Sequence, residues 1–153
     1  MLPYVISISL ISISAIVSSI YTDTESEWYK CADPNSSVPN YAFPYIWFFM
    51  YLLLAYITVK IFKFNNKTSM VYIVMILALC SLWSVVYFHY HRADISMGII
   101  TSIFIFSLSL LYTISVDKTN FVEPFLMIPF ILWITYALIL NFISANKDCN
   151  NLI

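Results

Sequence analysis

The sequence predicts an all-α protein, an integral membrane bundle of five transmembrane helices, on three observations. Of its 153 residues 61% are hydrophobic and 10% charged, with a mean hydropathy of +0.85, whereas an ordinary soluble domain carries about 25% charged residues. The apolar residues fall into runs at about 2–21, 43–62, 69–89, 95–115 and 124–144, each near the roughly 20 residues that a helix needs to cross a bilayer. Four of these runs are apolar throughout, unlike the alternating strands of a membrane barrel, and open strands cannot satisfy their backbone in lipid. The chain reads as one polytopic domain over 1–153, with a structured loop at 22–42.

Composition also excludes function classes. A single glycine leaves no Gly-rich phosphate loop, and a formal charge of −1 supplies no basic stripe for nucleic acid. Neither a Ser-His-Asp set nor a pair of intramembrane carboxylates is available, which removes the usual hydrolase and proton-pump signatures. No cofactor is required by any motif, and the lipid bilayer is the first partner.

Taken in order, the first span shows Ile-Ser alternation from Ile6 to Ser14. No Lys or Arg precedes it and no small-x-small site ends it, so it reads as a span rather than a cleaved signal. The following stretch concentrates Asp23, Glu25, Glu27 and Asp33 with a Trp28-Tyr29 pair. Lys60, Lys63, Lys67 and Lys118 lie on the opposite side from Lys30, Arg92 and Lys147, so the positive-inside rule places the acidic loop outside. Asn35-Ser36-Ser37 and Asn66-Lys67-Thr68 match the glycosylation acceptor but fall on opposite faces, and both read as chance matches. Cys31 and Cys149 share the loop side; sequence fixes no distance between them, and the unpaired state is the favoured reading.

In the second span Trp47, Tyr51 and Ala55 recur at four-residue intervals on one helix face. The third brings Cys80, Trp83, Ser84 and Tyr87 onto one stripe. These patterns fit either a ligand pocket or ordinary packing with interfacial anchoring. His89 and His91 are too few for a zinc site and read as interfacial anchors. Gly98 and Ser102 form a small-xxx-small pair in the fourth span, a candidate helix contact. The fifth repeats the second with Trp133, Ala137 and Asn141, and an Asn amide in hydrocarbon needs a partner. Pro129, one turn before Trp133, removes a backbone donor and is expected to bend the helix.

Read together, these stripes resemble the TspO/MBR family, the translocator proteins also called tryptophan-rich sensory proteins or peripheral-type benzodiazepine receptors. Trp28-Tyr29 followed by Pro34 and Pro39 is similar to the family's first-loop motif WYxxLxKPxWxPP, one residue shorter before the first proline. Pro44, Trp47 and Tyr51 match PxVWxxxYxxxG, with Ala55 at the glycine position. Cys80, Trp83, Ser84, Tyr87 and Phe88 stand where the family has NxxWSxxFF. Pro129, Trp133, Ala137 and Asn141 follow PYLxWxxFAxxLN.

The resemblance implies a five-helix bundle, often a homodimer, with an apolar pocket beneath the first loop. Family members bind porphyrins such as protoporphyrin IX and haem, isoquinoline and benzodiazepine-type drugs, and in animals cholesterol. By the same resemblance Trp47 and Trp133 flank the ligand, Trp28 caps it and Trp83 lines it, while Tyr51, Cys80, Tyr87, Pro129, Ala137 and Asn141 complete the site. The expected role is sensor, scavenger or carrier. Bacterial relatives degrade porphyrins in light, for which Trp47 and Trp133 are the photochemical candidates. Cys80 in place of Asn and Phe130 in place of Tyr remove two hydrogen-bonding groups, predicting weaker drug affinity. Phe142 in place of the Tyr of the animal cholesterol pattern makes sterol the less favoured ligand.

Overall fold

The computed structural model describes residues 2–32, 38–116, 122–147 and 149, the side chains of 2 and 3 excepted. Asp33, Pro34, the Asn35 acceptor triplet and Lys118 lie outside the described residues. Six α-helices follow one another: α1 (Leu2–Tyr21), α2 (Glu27–Ala32), α3 (Ala42–Lys63), α4 (Lys67–Ser84), α5 (Ala93–Val116) and α6 (Glu123–Ala145). A π-helical turn, Val85–His89, extends α4 without a break. All but α2 are long and apolar enough to cross a membrane. The protein is an all-α, multi-pass integral membrane protein, and with the π-turn counted into α4 each predicted span agrees with its helix to within two residues at either end.

Local chemistry sets the ends. Asn65 takes a left-handed φ of 55° in the tight α3–α4 turn, a conformation Asn tolerates better than most residues. Asn66 then caps α4, its side chain accepting from Ser69 N at 3.1 Å. This cap accounts structurally for the Asn-Lys-Thr triplet. Glu123 and Pro124 open α6 with an acidic group at the positive dipole end and a residue that lacks the unneeded N–H. Helix α6 runs on through Pro129.

Helix α5 packs between α4 and α6, α1 lies against α3 and α4, and α3 also touches α6. Lipid is as apolar as leucine, so this packing rests on close contact and hydrogen bonds rather than on expulsion of water. Many hydroxyls are satisfied within their own helix: Thr58, Thr101, Ser107 and Thr135 each donate to the carbonyl four residues back. Others join helices. Ser14 donates to Leu77 O at 2.9 Å and accepts from Ser81 at 3.0 Å, so α1, poor in large core residues, is held to α4 by its serines. At the other end of the bundle Lys60 meets the buried Glu123 carboxylate at 3.7 Å and ties α3 to α6.

Two expectations are corrected. Gly98 is exposed, and a Cβ built there would meet nothing within 4 Å; the Gly98–Ser102 pair makes no helix contact in this chain, because the α5 faces turned to α4 and α6 carry Ser96, Ile100 and Ile103 instead. Cys31 and Cys149 form a disulfide, with Cα atoms 6.0 Å apart. The pairing depends on α2 folding back over the end of α6. Lys147 reinforces it by donating to Cys31 O at 3.4 Å.

Candidate functional site: an aromatic cavity beneath helix α2

A cavity of about 560 Å3 lies among α1, α3, the end of α4 and α6, with Tyr29 of α2 above it. That volume is within the roughly 300–1,000 Å3 of small-molecule sites. One wall is aromatic. Trp47 stands 6.3 Å from Trp83 and 6.0 Å from Tyr51, and Trp83 stacks on Tyr87 at 5.2 Å and 16°. The opposite wall is the hydroxyl-bearing face of α1, with Ser18 and Thr22.

The π-turn makes the aromatic wall continuous. Consecutive residues of an ordinary helix diverge by about 100°, yet Tyr87 and Phe88 are both buried and both line the cavity. Widening the helix by one residue per turn redirects the pair inward, a use of π-turns that recurs at functional sites. Tyr87 is then fixed by donating to Ser144 at 2.8 Å, and Phe88 by Tyr29 at 5.5 Å.

Asn141 organises the floor. Its Oδ1 accepts from Trp83 Nε1 at 2.8 Å and from Ser96 Oγ at 2.9 Å, while Nδ2 donates to Ala93 O at 2.9 Å. One amide thus joins α4, α5 and α6 and sets the plane of the Trp83 indole. Tyr51 is held from the α1 side by Ser14 at 3.1 Å and Ser18 at 3.0 Å.

Of the residues singled out from sequence, Trp47, Tyr51, Trp83, Tyr87, Ala137 and Asn141 line this cavity, as do Ala55 and Ser84. The other four stand elsewhere. Trp133 sits one layer back, edge-on to Trp47 at 6.3 Å and Phe43 at 5.4 Å, with its Nε1 buried and lacking a hydrogen-bond partner. Cys80 is fully buried in the packing behind the wall, and Pro129 lies away from it. Trp28 meets Tyr87 edge-on at 5.3 Å and lines a second, polar cavity of about 390 Å3 with His91, Arg92, Asp94 and Lys147. His91, at φ 55°, stacks on Trp28 at 4.8 Å. Phe43 and the α1 hydroxyls Ser18 and Thr22 escaped the sequence reading, and Tyr29 and Phe88 entered it as motif matches but not as site residues; the run of aromatics around Trp28, Trp47 and Trp83 pointed towards them.

The match to known proteins is to a family described as TspO/MBR, over residues 5–144. The chain belongs to the TspO/MBR family. No curated protein matches it. Apart from the outermost residues of the first and fifth, the five spans of this TspO/MBR chain lie within the matched region, as does every residue named on the cavity wall. Its departures from the family pattern at Cys80 and Phe130 are buried, both at most 1% exposed. Neither residue is part of the cavity lining.

Proposed function

We propose that this TspO/MBR protein binds a tetrapyrrole of the protoporphyrin IX or haem type in the cavity beneath α2, as a sensor, scavenger or carrier. The supporting observation is the continuous wall of Trp47, Trp83, Tyr87 and Phe88 facing a cavity large enough for a planar ligand. Aromatic faces hold a flat ring by offset stacking and by the area they bury. Tyr29, tied down through α2, covers one end. Isoquinoline and benzodiazepine-type drugs are smaller planar ligands for the same wall.

Titration with protoporphyrin IX, followed by tryptophan quenching, tests this reading. Saturable binding is expected in the wild type. Ala137→Leu, which pushes a larger side chain into the cavity, should weaken it at least tenfold, about 1.4 kcal/mol, with unchanged circular dichroism. Trp133→Phe should weaken it less than Trp47→Phe, because Trp133 acts only through Trp47 and Phe43. No saturable quenching in the folded wild type would overturn the proposal and favour a bundle that works through protein partners.

A second reading, light-dependent oxidation of the bound ring by dissolved dioxygen as the electron acceptor, is favoured by the near-contact of three indoles, Trp133, Trp47 and Trp83, each 6.3 Å from the next, which can return electrons to the photo-oxidised ring. Loss of porphyrin absorbance in light but not in darkness, abolished in Trp47→Phe, is its signature; equal loss in the variant removes it.

The disulfide and the lysines support one orientation. Cys31–Cys149 lies at the loop end and disulfides persist in oxidising compartments, while Lys60, Lys63 and Lys67 gather at the other end, as expected of a cytoplasmic face.

A further inference from the structure

Among the described residues no Lys, Arg or His lines the aromatic cavity. The cations at its end of the bundle are engaged elsewhere. Lys30 pairs with Glu27 at 3.1 Å, Arg92 grips Asp94 through two bonds of 2.9 and 2.7 Å, and Lys147 donates to Cys31 O. Arg92 and Lys147 belong to the second cavity, whose wall includes Trp28. Lys60, Lys63 and Lys67 lie at the opposite end of α3 and α4, and Lys118 falls outside the described residues.

The hydroxyls do not replace the missing charge. Ser14 gives its proton to Leu77 O, so Tyr51 donates to Ser14, and Ser18 in turn donates to Tyr51. Ser19, Thr22 and Ser84 donate to backbone carbonyls of their own helices. Both amide protons of Asn141 and the indole proton of Trp83 are engaged within the bundle. Among the described residues Ser12 and Thr24, at the edges of the lining, and the indole N–H of Trp47 keep protons for a ligand, and all three are uncharged. Apart from these neutral donors, what faces the cavity is lone pairs and the negative faces of aromatic rings.

The approach to the cavity is equally apolar. Its lining continues onto Ile16, Phe48 and Leu52, which are 56%, 65% and 53% exposed on the outer faces of α1 and α3. The opening between these helices therefore meets hydrocarbon. A carboxylate taking this route loses its hydration and finds no counter-charge inside.

We infer that the cavity selects uncharged planar rings and disfavours anions: a tetrapyrrole is held with its acid groups esterified or otherwise neutral, entering from the bilayer between α1 and α3. This rests on the tetrapyrrole reading. The test compares protoporphyrin IX with its dimethyl ester in lipid nanodiscs at pH 8, each corrected for partition into protein-free discs. The ester should bind at least tenfold more tightly. Thr22→Arg, which sets a cation at the exposed end of the α1 wall, should shift the preference at least fivefold towards the diacid. Equal or tighter binding of the diacid by the wild type overturns the inference and leaves the tetrapyrrole reading intact, as does an unshifted preference in Thr22→Arg. Saturable binding of neither ligand overturns both.

Discussion

Cys31→Ser is expected to lower the stability of the protein by about 2–4 kcal/mol. The bridge closes a loop spanning 118 residues of sequence, and chain-entropy arguments give about 4–5 kcal/mol for a loop of that length in water. Unfolding within a membrane leaves the spans inserted, so less freedom is released and a lower figure is expected. Thermal unfolding in detergent should show the wild type falling to the variant's midpoint on adding reductant. Cys149→Ser and the double variant should match the single variant, since each removes the same bridge. An unchanged midpoint under reductant would mean that the bond contributes nothing. The functional effect follows from α2, which carries Tyr29 over the cavity and Trp28 against Tyr87. Freed from the end of α6, it should release a bound ring several-fold faster with little change in the rate of entry from the bilayer.

Asn141→Leu should cost about 2–3 kcal/mol. It strands Trp83 Nε1 and removes the amide's bonds to the Ser96 hydroxyl and the Ala93 carbonyl, which keep their bond to each other at 3.0 Å. A buried unsatisfied group costs about 1–3 kcal/mol in water-soluble proteins, but interhelical bonds in membranes average nearer 0.6 kcal/mol, so the three do not sum to the upper figure. A double-mutant cycle with Trp83→Phe isolates one of the bonds; coupling of at least about 0.5 kcal/mol is expected for directly bonded partners. Additive losses would show that the Trp83–Asn141 bond is geometrically present but energetically idle. Because the same bond orients an indole on the cavity wall, Asn141→Leu should also weaken protoporphyrin binding and alter tryptophan emission, whereas damage confined to α5 packing would leave both unchanged.

Much of the architecture was readable from residue order because a bilayer imposes one crude requirement on each span. Runs such as 69–89 and 124–144 had to be helical, since nothing else satisfies the backbone in lipid, and their lengths followed from bilayer thickness. The stripe Trp47–Tyr51–Ala55 was legible for a similar reason: the helical period alone puts those residues on one face, and all three line the cavity. For Trp133 the same logic gave a shared face and not a depth. Periodicity aligned it with Ala137 and Asn141, but α3 places Trp47 and Phe43 in front of it. Helix α2 was missed because six residues carry too little pattern, and its burial comes from the α4 end and the C-terminal bridge rather than from its own sequence.

By itself the sequence determined the number, lengths and order of the membrane helices, the family, and the need of Asn141 for a partner. These depend on hydrophobicity and on helical spacing, which are local properties. Only the tertiary structure decided which indoles face the cavity, that the π-turn directs Tyr87 and Phe88 inward together, that Cys31 reaches Cys149, and that every described cation stands off the cavity wall. Each of these is a distance between segments far apart in the chain, set by how the helices pack, and no local pattern encodes it.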